Sequence, residues 1–336
     1  MKTIFVTGGY GFIGSELVRT LVKNKGVHVV NIDCLTYAAD PTSLNIIENE
    51  PNYTHLQIDI RDDSKIVDAF EKYSPTSIYH LAAESHVDNS IECPGIFVDT
   101  NVMGTLNLLK ASLSLHKKGQ DILFHHISTD EVFGTLGETG MFTEETPYNP
   151  NSPYSASKAA SDHLVRAWKE TYGLPTLITN CSNNYGPWQN REKLIPKIIE
   201  SCLNETSIPI YGDGKNIRDW LYVSDHVDAL IVTHSSGKIG HSFNIGGKNE
   251  MKNIDIANTI CSLMDELKPR RNGHHADLIE FVADRPGHDY RYAIDPSKIE
   301  QTLNWRPKET FITGIEKTIS HYIDALSEPS NQIDVR

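Results

Sequence analysis

Tyr154 and Lys158 stand four residues apart in a segment with a helical pattern, directly after Pro153. Residues at positions i and i+4 lie on one face of a helix, so this spacing would place a phenol beside an ammonium group. A nearby positive charge favours the phenolate and lowers the pKa of tyrosine, which suits proton abstraction near neutral pH. Because the same spacing is common by chance, the alternative is a partly exposed tyrosine and a surface lysine.

Two carboxylates, Asp130 and Glu131, directly follow Thr129 at the end of a predicted strand. Doubly wound sheets place their sites at the carboxyl ends of their strands. Neighbouring carboxylates can act as separate acid and base when their surroundings push their pKa values apart. An exposed Asp-Glu pair in a loop is usually only solvated. Here the pair follows a predicted strand and precedes the Tyr-Lys pair. The occurrence of these three features in this order argues against a chance arrangement.

Gly8, Gly11 and Gly14 recur every third residue, directly after the first apolar run and at the start of a helical pattern. Glycines at this spacing let the backbone turn tightly and approach a pyrophosphate at the helix N-terminus. Asp33 ends the second predicted strand, 19 residues after Gly14. A carboxylate there binds the ribose hydroxyls of NAD and repels the 2′-phosphate of NADP, so we expect NAD. The alternative for Asp33 is a helix N-cap.

The elements that would position these residues alternate along the first half of the chain. Predicted strands cover residues 4–7, 28–32, 53–57, 77–81, 121–127 and 175–179. Predicted helices cover residues 13–23, 64–73, 98–115 and 156–172. This rhythm predicts βαβ units in an α/β fold, a doubly wound parallel sheet of the Rossmann type.

After residue 180 the apolar runs become shorter, which predicts a smaller interleaved α+β region. Helices are predicted there at residues 194–203, 225–235, 254–267 and 311–325. We expect residues 1–180 to form the NAD-binding domain, joined by segments near residues 220–246, and residues 181–325 mainly to bind substrate. The polar end of the chain, residues 327–336, is predicted to be frayed.

Composition excludes several classes of function. The 336 residues carry a formal net charge of -13 without a long block of either sign, which opposes binding to nucleic acid or an anionic membrane. No apolar run approaches the ~18 residues of a membrane span. The five cysteines show no metal-ligand spacing, so we expect reduced thiols, a cytoplasmic location and no metal. His125 and His126 lie inside a predicted strand and are interpreted as packing residues.

Longer motifs add a resemblance to these features. They are Leu81-Ala82-Ala83-Glu84-Ser85-His86-Val87-Asp88, Ser128-Thr129-Asp130-Glu131-Val132, Asn180-Cys181-Ser182-Asn183-Asn184-Tyr185-Gly186-Pro187, Ile217-Arg218-Asp219-Trp220-Leu221-Tyr222-Val223 and Asp284-Arg285-Pro286-Gly287-His288-Asp289. From about residue 3 to about residue 325 the chain resembles the extended short-chain dehydrogenase/reductase superfamily, and within it the dTDP-glucose 4,6-dehydratases. Sugar epimerases of that superfamily lack the Asp-Glu pair after Thr129.

The resemblance implies a lyase that oxidises C4 of a nucleotide-linked glucose, removes water across C5–C6 and returns the hydride to C6. Tyr154 would take the proton of the C4 hydroxyl, Thr129 would hold the C4 oxygen, and Lys158 would orient the nicotinamide ribose. Glu131 would remove the C5 proton, while a protonated Asp130 would donate to the departing C6 hydroxyl.

The resemblance also assigns binding residues. The cofactor site, taken together with the glycine loop and the strand ends, comprises Gly8, Gly11, Phe12, Ile13, Gly14, Asp33, Leu35, Thr36, Asp59, Ile60, Leu81, Ala82, Ala83, Thr100, Tyr154, Lys158 and Asn184. The substrate site comprises Ser85, Thr129, Asn183, Lys193, Leu194, Pro209, Ile210, Tyr211, Arg218, Asn253, Arg285 and His288. Some have simpler interpretations: Tyr211 as core, Arg218 as a surface ion pair with Asp219, and His288 as structural.

The sequence departs from the usual family motifs at Tyr10, Ala39-Asp40, Asn190-Arg191, Phe133 and Tyr290. None of these is a proposed proton-transfer residue. Asn190-Arg191 and Tyr290 lie near the substrate motifs, so the sequence does not decide which nucleotide base the protein binds.

Three other functions remain open at this point: a UDP-glucose 4,6-dehydratase, a nucleotide-sugar C4 epimerase and a non-catalytic NAD-binding regulatory protein. Family members pair two helices into a four-helix interface, so the resemblance also implies a homodimer. The helices concerned are predicted at residues 98–115 and 156–172, and they carry apolar residues beyond one face. These residues include Val98, Val102, Leu106, Leu109, Leu113, Leu164, Val165 and Trp168. The alternative is that each helix only packs on its own sheet.

Overall fold

Seven parallel strands form the central sheet of the protein. A computed structural model describes residues 1–284 and 286–327 of the chain. In sequence order the strands are β1 (Lys2–Thr7), β2 (Val27–Asp33), β3 (Tyr53–Gln57), β4 (Ser77–His80), β5 (Leu123–Thr129), β6 (Thr176–Cys181) and, after three further strands of the C-terminal region, β10 (Ser242–Ile245). Their spatial order is β3-β2-β1-β4-β5-β6-β10. The direction of winding reverses between β1 and β4, so the predicted doubly wound α/β fold is confirmed.

Helices cover both faces of this sheet, which explains why its strands are buried on both sides. The helices of the first part are α1 (Phe12–Val22), α2 (Asp63–Tyr73), α3 (Val87–Glu92), α4 (Pro94–Phe97), α5 (Thr105–Lys117) and α6 (Pro153–Tyr172). Short 3-10 turns cover Pro41–Ile47 and Asp130–Phe133. Most predicted boundaries lie within two or three residues of those observed, but α3, α4 and the 3-10 turns were not predicted.

The predicted helix at residues 98–115 is wrong in its first half, because Val98–Gly104 forms a π-helical segment before α5 begins. The carbonyl of Asn101 accepts hydrogen bonds from the hydroxyls of Thr105 at 2.5 Å and Ser161 at 2.6 Å. Side-chain hydroxyls that bond to a helical carbonyl compete with the regular backbone pattern. The wider turn also brings Gly104 against Ile60, where an added Cβ would lie 2.5 Å from Ile60 Cδ1.

The C-terminal region has two small sheets of its own. Strand β9 (Ile217–Tyr222) lies between β7 (Asn183–Tyr185) and β11 (Glu250–Lys252), and β8 (Ile208–Tyr211) pairs with β12 (Ile279–Val282). Its helices are α7 (Leu194–Asn204), α8 (Val223–Ser235), α9 (Asn253–Leu267), α10 (Ser297–Leu303) and α11 (Phe311–Ser327), with a 3-10 turn at His275–Leu278. Helices α7, α9 and α11 share a second core, whereas Val227 and Leu230 of α8 pack into the core of the main sheet.

Two sequence predictions fall on residues that are not described. The first is the assignment of Arg285 to the substrate site. The second is the frayed tail predicted at residues 327–336, of which only Ser327, the last residue of α11, is described. Across the described residues, no helix is both long and apolar enough to cross a lipid bilayer.

Candidate active site

One cleft crosses the carboxyl ends of the central strands, where the direction of winding reverses. Most of the predicted site residues line it. From the predicted cofactor set these are Gly8, Gly11, Phe12, Ile13, Gly14, Asp33, Thr36, Asp59, Ile60, Leu81, Ala82, Ala83, Thr100 and Asn184. Thr129, Asp130, Glu131, Tyr154 and Lys158 line the same cleft, together with Ser85, Asn183 and Lys193. The fold therefore brings the two predicted sites together.

Other predicted residues lie outside the lining of this cleft. They are Leu35, Leu194, Pro209, Ile210, Tyr211, Arg218, Asn253 and His288. Ile210 is buried in the second core, whereas Tyr211 is 43% exposed, so the interpretation of Tyr211 as a core residue is wrong. The cleft also contains residues that were not predicted, among them Tyr37, Arg61, Glu84, His86, Cys181, Gln189 and Glu192. Glu84 and His86 could have been found from the sequence, because they belong to the family motif that follows β4.

The glycine loop has the geometry of a phosphate cradle. Gly8 has φ +72°, and a Cβ there would lie 2.8 Å from the backbone of Ala82. A Cβ on Gly14 would collide with the carbonyl oxygen of Gly8. Gly11 stands at the N-cap of α1 and brings no side chain to the first N–H groups of that helix. These groups and the helix dipole suit a pyrophosphate, so the loop fits a dinucleotide.

The carboxylate of Asp33 faces the same loop. It accepts hydrogen bonds from the backbone N–H groups of Tyr10 at 2.9 Å and Leu35 at 2.8 Å. The alternative interpretation as a helix N-cap is wrong, because Asp40 caps the next helical turn. Tyr10, an unusual residue for the loop, packs edge-on against His55 at 4.8 Å between ring centroids.

Asp59, which the sequence assigns to the cofactor site, is held by Arg61. The guanidinium donates to both carboxylate oxygens, with the closest contact at 2.6 Å. These hydrogen bonds lower the pKa of Asp59. The carboxylate therefore keeps its charge and orientation at this end of the cleft.

The carboxylates after β5 lie in different surroundings. Asp130 is 2% exposed, whereas Glu131 is only partly buried. Burial raises the pKa of Asp130 well above its usual range, and the neighbouring negative charges of Glu131 and Asp219 add to this effect. The hydroxyl of Thr129 lies 3.4 Å from Asp130 Oδ1 and accepts a hydrogen bond from the Glu131 N–H at 3.3 Å. A buried carboxyl group beside a more exposed one is suited to act with it as an acid–base pair.

Tyr154 and Lys158 begin helix α6, which is fixed by a capping box between Ser152 and Ser155. Both side chains are buried, and the side chain of Thr129 favours the charged form of Tyr154. The ammonium of Lys158 donates to the carbonyl of Ile127 at 2.9 Å. Thr129, Asp130, Glu131 and Tyr154 thus lie together at the end of β5.

The protein's own groups do not lower the pKa of Tyr154, contrary to the expectation from its spacing to Lys158. Burial raises the pKa of Tyr154 well above its usual range, and the negative charge of Glu131 raises it further. Burial also lowers the pKa of Lys158. Both changes have one cause, since a group removed from water resists becoming charged.

The interpretation of Arg218 and Asp219 as a surface ion pair is also wrong. Both are buried, and as neighbours in β9 they point to opposite faces of the strand. The Arg218 guanidinium donates to the carbonyl of Asp289 at 2.9 Å and lies 4.1 Å from the ring centre of Tyr292. The carboxylate of Asp219 accepts from the N–H groups of Gly247 and Asn249.

Comparisons with known proteins agree with this geometry. The family model for GDP-mannose 4,6 dehydratase matches residues 5–318. The dTDP-glucose 4,6-dehydratase of Neisseria meningitidis serogroup B is 51% identical over 333 residues, covering 96% of this chain and 94% of that protein. A dTDP-glucose 4,6-dehydratase of Escherichia coli is 52% identical over 339 residues, covering 96% and 93%. The chain belongs to the dTDP-glucose 4,6-dehydratase family.

Solved structures extend the comparison. The dTDP-glucose 4,6-dehydratase of Streptomyces venezuelae, with NAD bound, superposes with a TM-score of 0.89 at 39% identity, covering 96% of this chain and 97% of that one. The UDP-glucose 4-epimerase of Thermus thermophilus, in complex with NAD, has a TM-score of 0.84 at 27% identity, covering 96% and 99%. The fold is thus common to dehydratases and epimerases, so the fold alone does not decide between their chemistries.

The raised pKa of Asp130 has a measurable effect on stability. Because the native state holds a proton that the unfolded state releases, Asp130 lowers the free energy of unfolding as pH rises above about 4, by up to about 1.4 kcal/mol per pH unit until the native pKa is reached. Asp130→Asn should therefore stabilise the protein at pH 7 but not at pH 4. Urea unfolding at both pH values measures this difference. Asp121→Asn, which makes the same chemical change at an exposed carboxylate, is the matched control, and an equal effect of Asp130→Asn at both pH values would contradict the prediction.

Proposed function

We propose that this protein is an NAD-dependent dTDP-glucose 4,6-dehydratase, a hydro-lyase that forms dTDP-4-keto-6-deoxyglucose and water. The observation that carries the proposal is the buried, proton-holding Asp130 beside the more exposed Glu131, next to Thr129 and Tyr154. An epimerase moves one hydride and has no use for such an acid–base pair. The activity also agrees with the names of the relatives that are about half identical to this chain.

The order of the steps follows from the acidity of the sugar protons. The C5 proton of a hexose is too weakly acidic to be removed directly, but a ketone at C4 makes it an α-proton. When bound, NAD supplies the oxidation of C4, returns the hydride to C6 and adds a positive charge that lowers the pKa of Tyr154. The glycine loop would hold its pyrophosphate, and Asp33 would bind the adenosine ribose.

The chain's own residues move the protons. Tyr154 removes the proton of the C4 hydroxyl, and Thr129 hydrogen bonds to the same oxygen. Lys158 holds the nicotinamide ribose and favours the phenolate. Glu131 removes the C5 proton and gives a proton back to C5 at the end. Asp130, kept protonated by its burial, donates to the departing C6 hydroxyl, which leaves as water. Over one turnover Tyr154 gains one proton and Asp130 loses one, and proton exchange with solvent returns both groups to their starting forms.

The two parts of the chain, residues 1–180 and 181–325, have different ligands in this proposal. We infer that residues 181–325 hold most of the nucleotide, with Asn183 and Lys193 in the cleft. Lys193 already reaches across it and donates to the carbonyl of Ser85 at 3.3 Å. Residues 1–180, together with the segment that returns through β10, hold NAD. The assignment of dTDP rather than UDP rests on the relatives, and direct competition between dTDP-glucose and UDP-glucose tests it.

We propose a cytoplasmic homodimer, with a contact through the surface formed by α3 to α6. Val98, Met103, Ile96 and Ile91 are 40–49% exposed on this surface. Several helix residues expected there pack inside the protomer instead, because Leu109, Leu113 and Val165 are buried. The contact is therefore confined to the outer stripe of these helices.

The dimer predicts a mass of twice 37.7 kDa in light scattering at micromolar concentration. Met103→Glu should reduce the mass to that of the monomer, since a carboxylate would lose its water at the contact. Ile46→Glu is the control on another exposed apolar side chain, which is 81% exposed. A wild-type protein with monomer mass would contradict the dimer.

NAD should remain with the purified protein and be regenerated in each cycle, and the protein should bind NAD more tightly than NADP. Asp33→Asn should weaken this preference at least about tenfold, because repulsion between like charges at an interface costs several kcal/mol. Affinities measured by fluorescence titration of cofactor-free protein test this, with Asp121→Asn as a control on an exposed carboxylate. A requirement for stoichiometric NAD in each turnover, or a wild-type preference for NADP, would count against the proposal.

The double variant Asp130→Asn/Glu131→Gln should separate oxidation from dehydration. Loss of a general acid or base costs about 10²–10⁴-fold in its own step, so product release should fall at least this much. Oxidation at C4 needs neither carboxylate, so absorbance of reduced nicotinamide should still develop with dTDP-glucose, while exchange of the C5 proton with deuterated solvent becomes slow.

Tyr154→Phe should stop both steps, and Glu138→Gln, in an exposed loop, should leave both unchanged. Mass detection of water loss from dTDP-glucose is the common readout. Near wild-type product formation by the double variant would show that the two carboxylates are not the acid and the base. No loss of water with the wild-type protein would refute the proposed function itself.

A further inference from the structure

A fully buried carboxylate lies behind the proposed catalytic residues and is used by none of the steps above. Asp162 stands one helical turn after Lys158 in α6, and its side chain has no exposed surface. Asp162 Oδ1 lies 3.1 Å from His126 Nε2. Asp162 Oδ2 accepts hydrogen bonds from Ser128 at 2.9 Å, Tyr148 at 2.7 Å and Asn180 at 3.4 Å.

Asp162 and Lys158 contact the same short stretch of strand β5. The ammonium of Lys158 bonds to the carbonyl of Ile127 at 2.9 Å, while Asp162 contacts the side chains of His126 and Ser128 on either side of it. Residues four apart on a helix share a face, and these two side chains contact consecutive residues of β5, so their charges lie in the same buried wall. Their attraction favours the charged form of both groups.

Asp162 is also connected to Thr129 through one further residue. The Asn180 amide donates to Asp162 Oδ2 at 3.4 Å and to the carbonyl of Thr129 at 3.0 Å. On the other side, Arg166 donates to the Tyr148 hydroxyl at 2.9 Å, and this hydroxyl in turn donates to Asp162. The carboxylate thus joins α6, β5 and β6 directly beneath the end of β5.

The other titratable groups around this pair cannot replace the negative charge of Asp162. Burial lowers the pKa of His126 to about 4 and that of His80 well below its usual range, so both are neutral at pH 7. Burial raises the pKa of the Cys181 thiol to about 12. The groups that face Lys158 or Asp162 from the neighbouring elements are His80 on β4, His126 on β5, Cys181 on β6, Tyr148 in the loop before α6 and Arg166 on α6.

We propose that Asp162 is a positioning residue whose buried carboxylate keeps Lys158 protonated and ties the end of β5 to α6. It acts through Lys158 and Thr129 and touches neither substrate nor cofactor. The inference deepens the proposed function and rests on it, because the charged Lys158 matters for holding the nicotinamide ribose and favouring the Tyr154 phenolate.

Asp162→Asn is the central variant, since it keeps the shape of the side chain and removes its charge. A nearby opposite charge shifts a pKa by about 1–3 units, so loss of the Asp162 charge should lower the pKa of Lys158 by up to this amount. NAD affinity, measured by fluorescence titration across pH, should therefore begin to fall at a pH about 1–3 units lower than in the wild type. The alkaline limb of kcat/KM with dTDP-glucose should move in the same direction.

Asp225→Asn is the matched control, because it makes the same chemical change at a buried carboxylate that binds the N–H groups of Lys308 and Glu309. It should leave the pH at which NAD affinity falls unchanged. Tyr148→Phe removes a hydrogen bond to Asp162 but keeps its charge, and it should also leave this pH unchanged. An Asp162→Asn profile that coincides with the wild-type profile would overturn the proposal.

A stability cycle tests the charge pair without cofactor or substrate, and it still applies if Asp162→Asn folds poorly. Lys158→Met leaves the Asp162 carboxylate buried without its counter-charge, which is strongly destabilising, whereas removal of both charges is often tolerated. The double variant Lys158→Met/Asp162→Asn should therefore unfold at a higher urea concentration than Lys158→Met alone. A double variant no more stable than Lys158→Met would contradict the pairing. If the wild type forms no 4-keto-6-deoxy product, the proposed function fails, while this cycle and the NAD titration still decide the role of Asp162.

Discussion

Exclusion of water from the carboxyl end of strand β5 is the condition on which the chemistry of this protein depends. Burial raises the pKa of Asp130 and lowers that of Lys158, so a carboxyl group is stabilised with its proton and an ammonium needs a counter-charge. Glu131, only a peptide bond away, is more exposed. Two neighbouring carboxyl groups thus lie in different degrees of solvation, and burial favours the protonated form of Asp130.

Dry surroundings also explain why so many backbone groups take part in the site. Backbone groups place fixed dipoles where water would otherwise be. The carbonyl of Ile127 lies beneath Lys158, and backbone N–H groups hold Asp33. The backbone of Gly8 also lies close to that of Ala82. Such dipoles are already oriented before reaction and need little rearrangement as charge moves. The fold therefore provides part of the solvation of the reacting groups.

The sequence was sufficient to predict the sheet, because alternating strand and helix patterns report local structure and which faces are buried. It was also sufficient to predict that the glycine loop, Thr129-Asp130-Glu131 and Tyr154-Lys158 lie in one cleft, since all follow or adjoin strand ends. The π-helical segment at Val98–Gly104 was not predicted, because it depends on the hydroxyl of Ser161, which is distant in sequence. The effect of burial on the Tyr154 pKa was missed for a related reason: burial is a property of the assembled site, and a four-residue spacing does not report it.

The return of the chain to the sheet at β10 affects how the protein emerges from the ribosome. Residues of β6 such as Leu177 and Ile178 are buried on both faces of the strand, and its outer edge is covered only when β10 pairs with it. At ~5–20 residues per second, the roughly 60 residues between the two strands take on the order of seconds to synthesise. During that interval an apolar strand edge is open to pairing with other nascent chains. A nascent chain halted near residue 180 would therefore expose this edge of β6, which is covered only after the chain has been synthesised through β10.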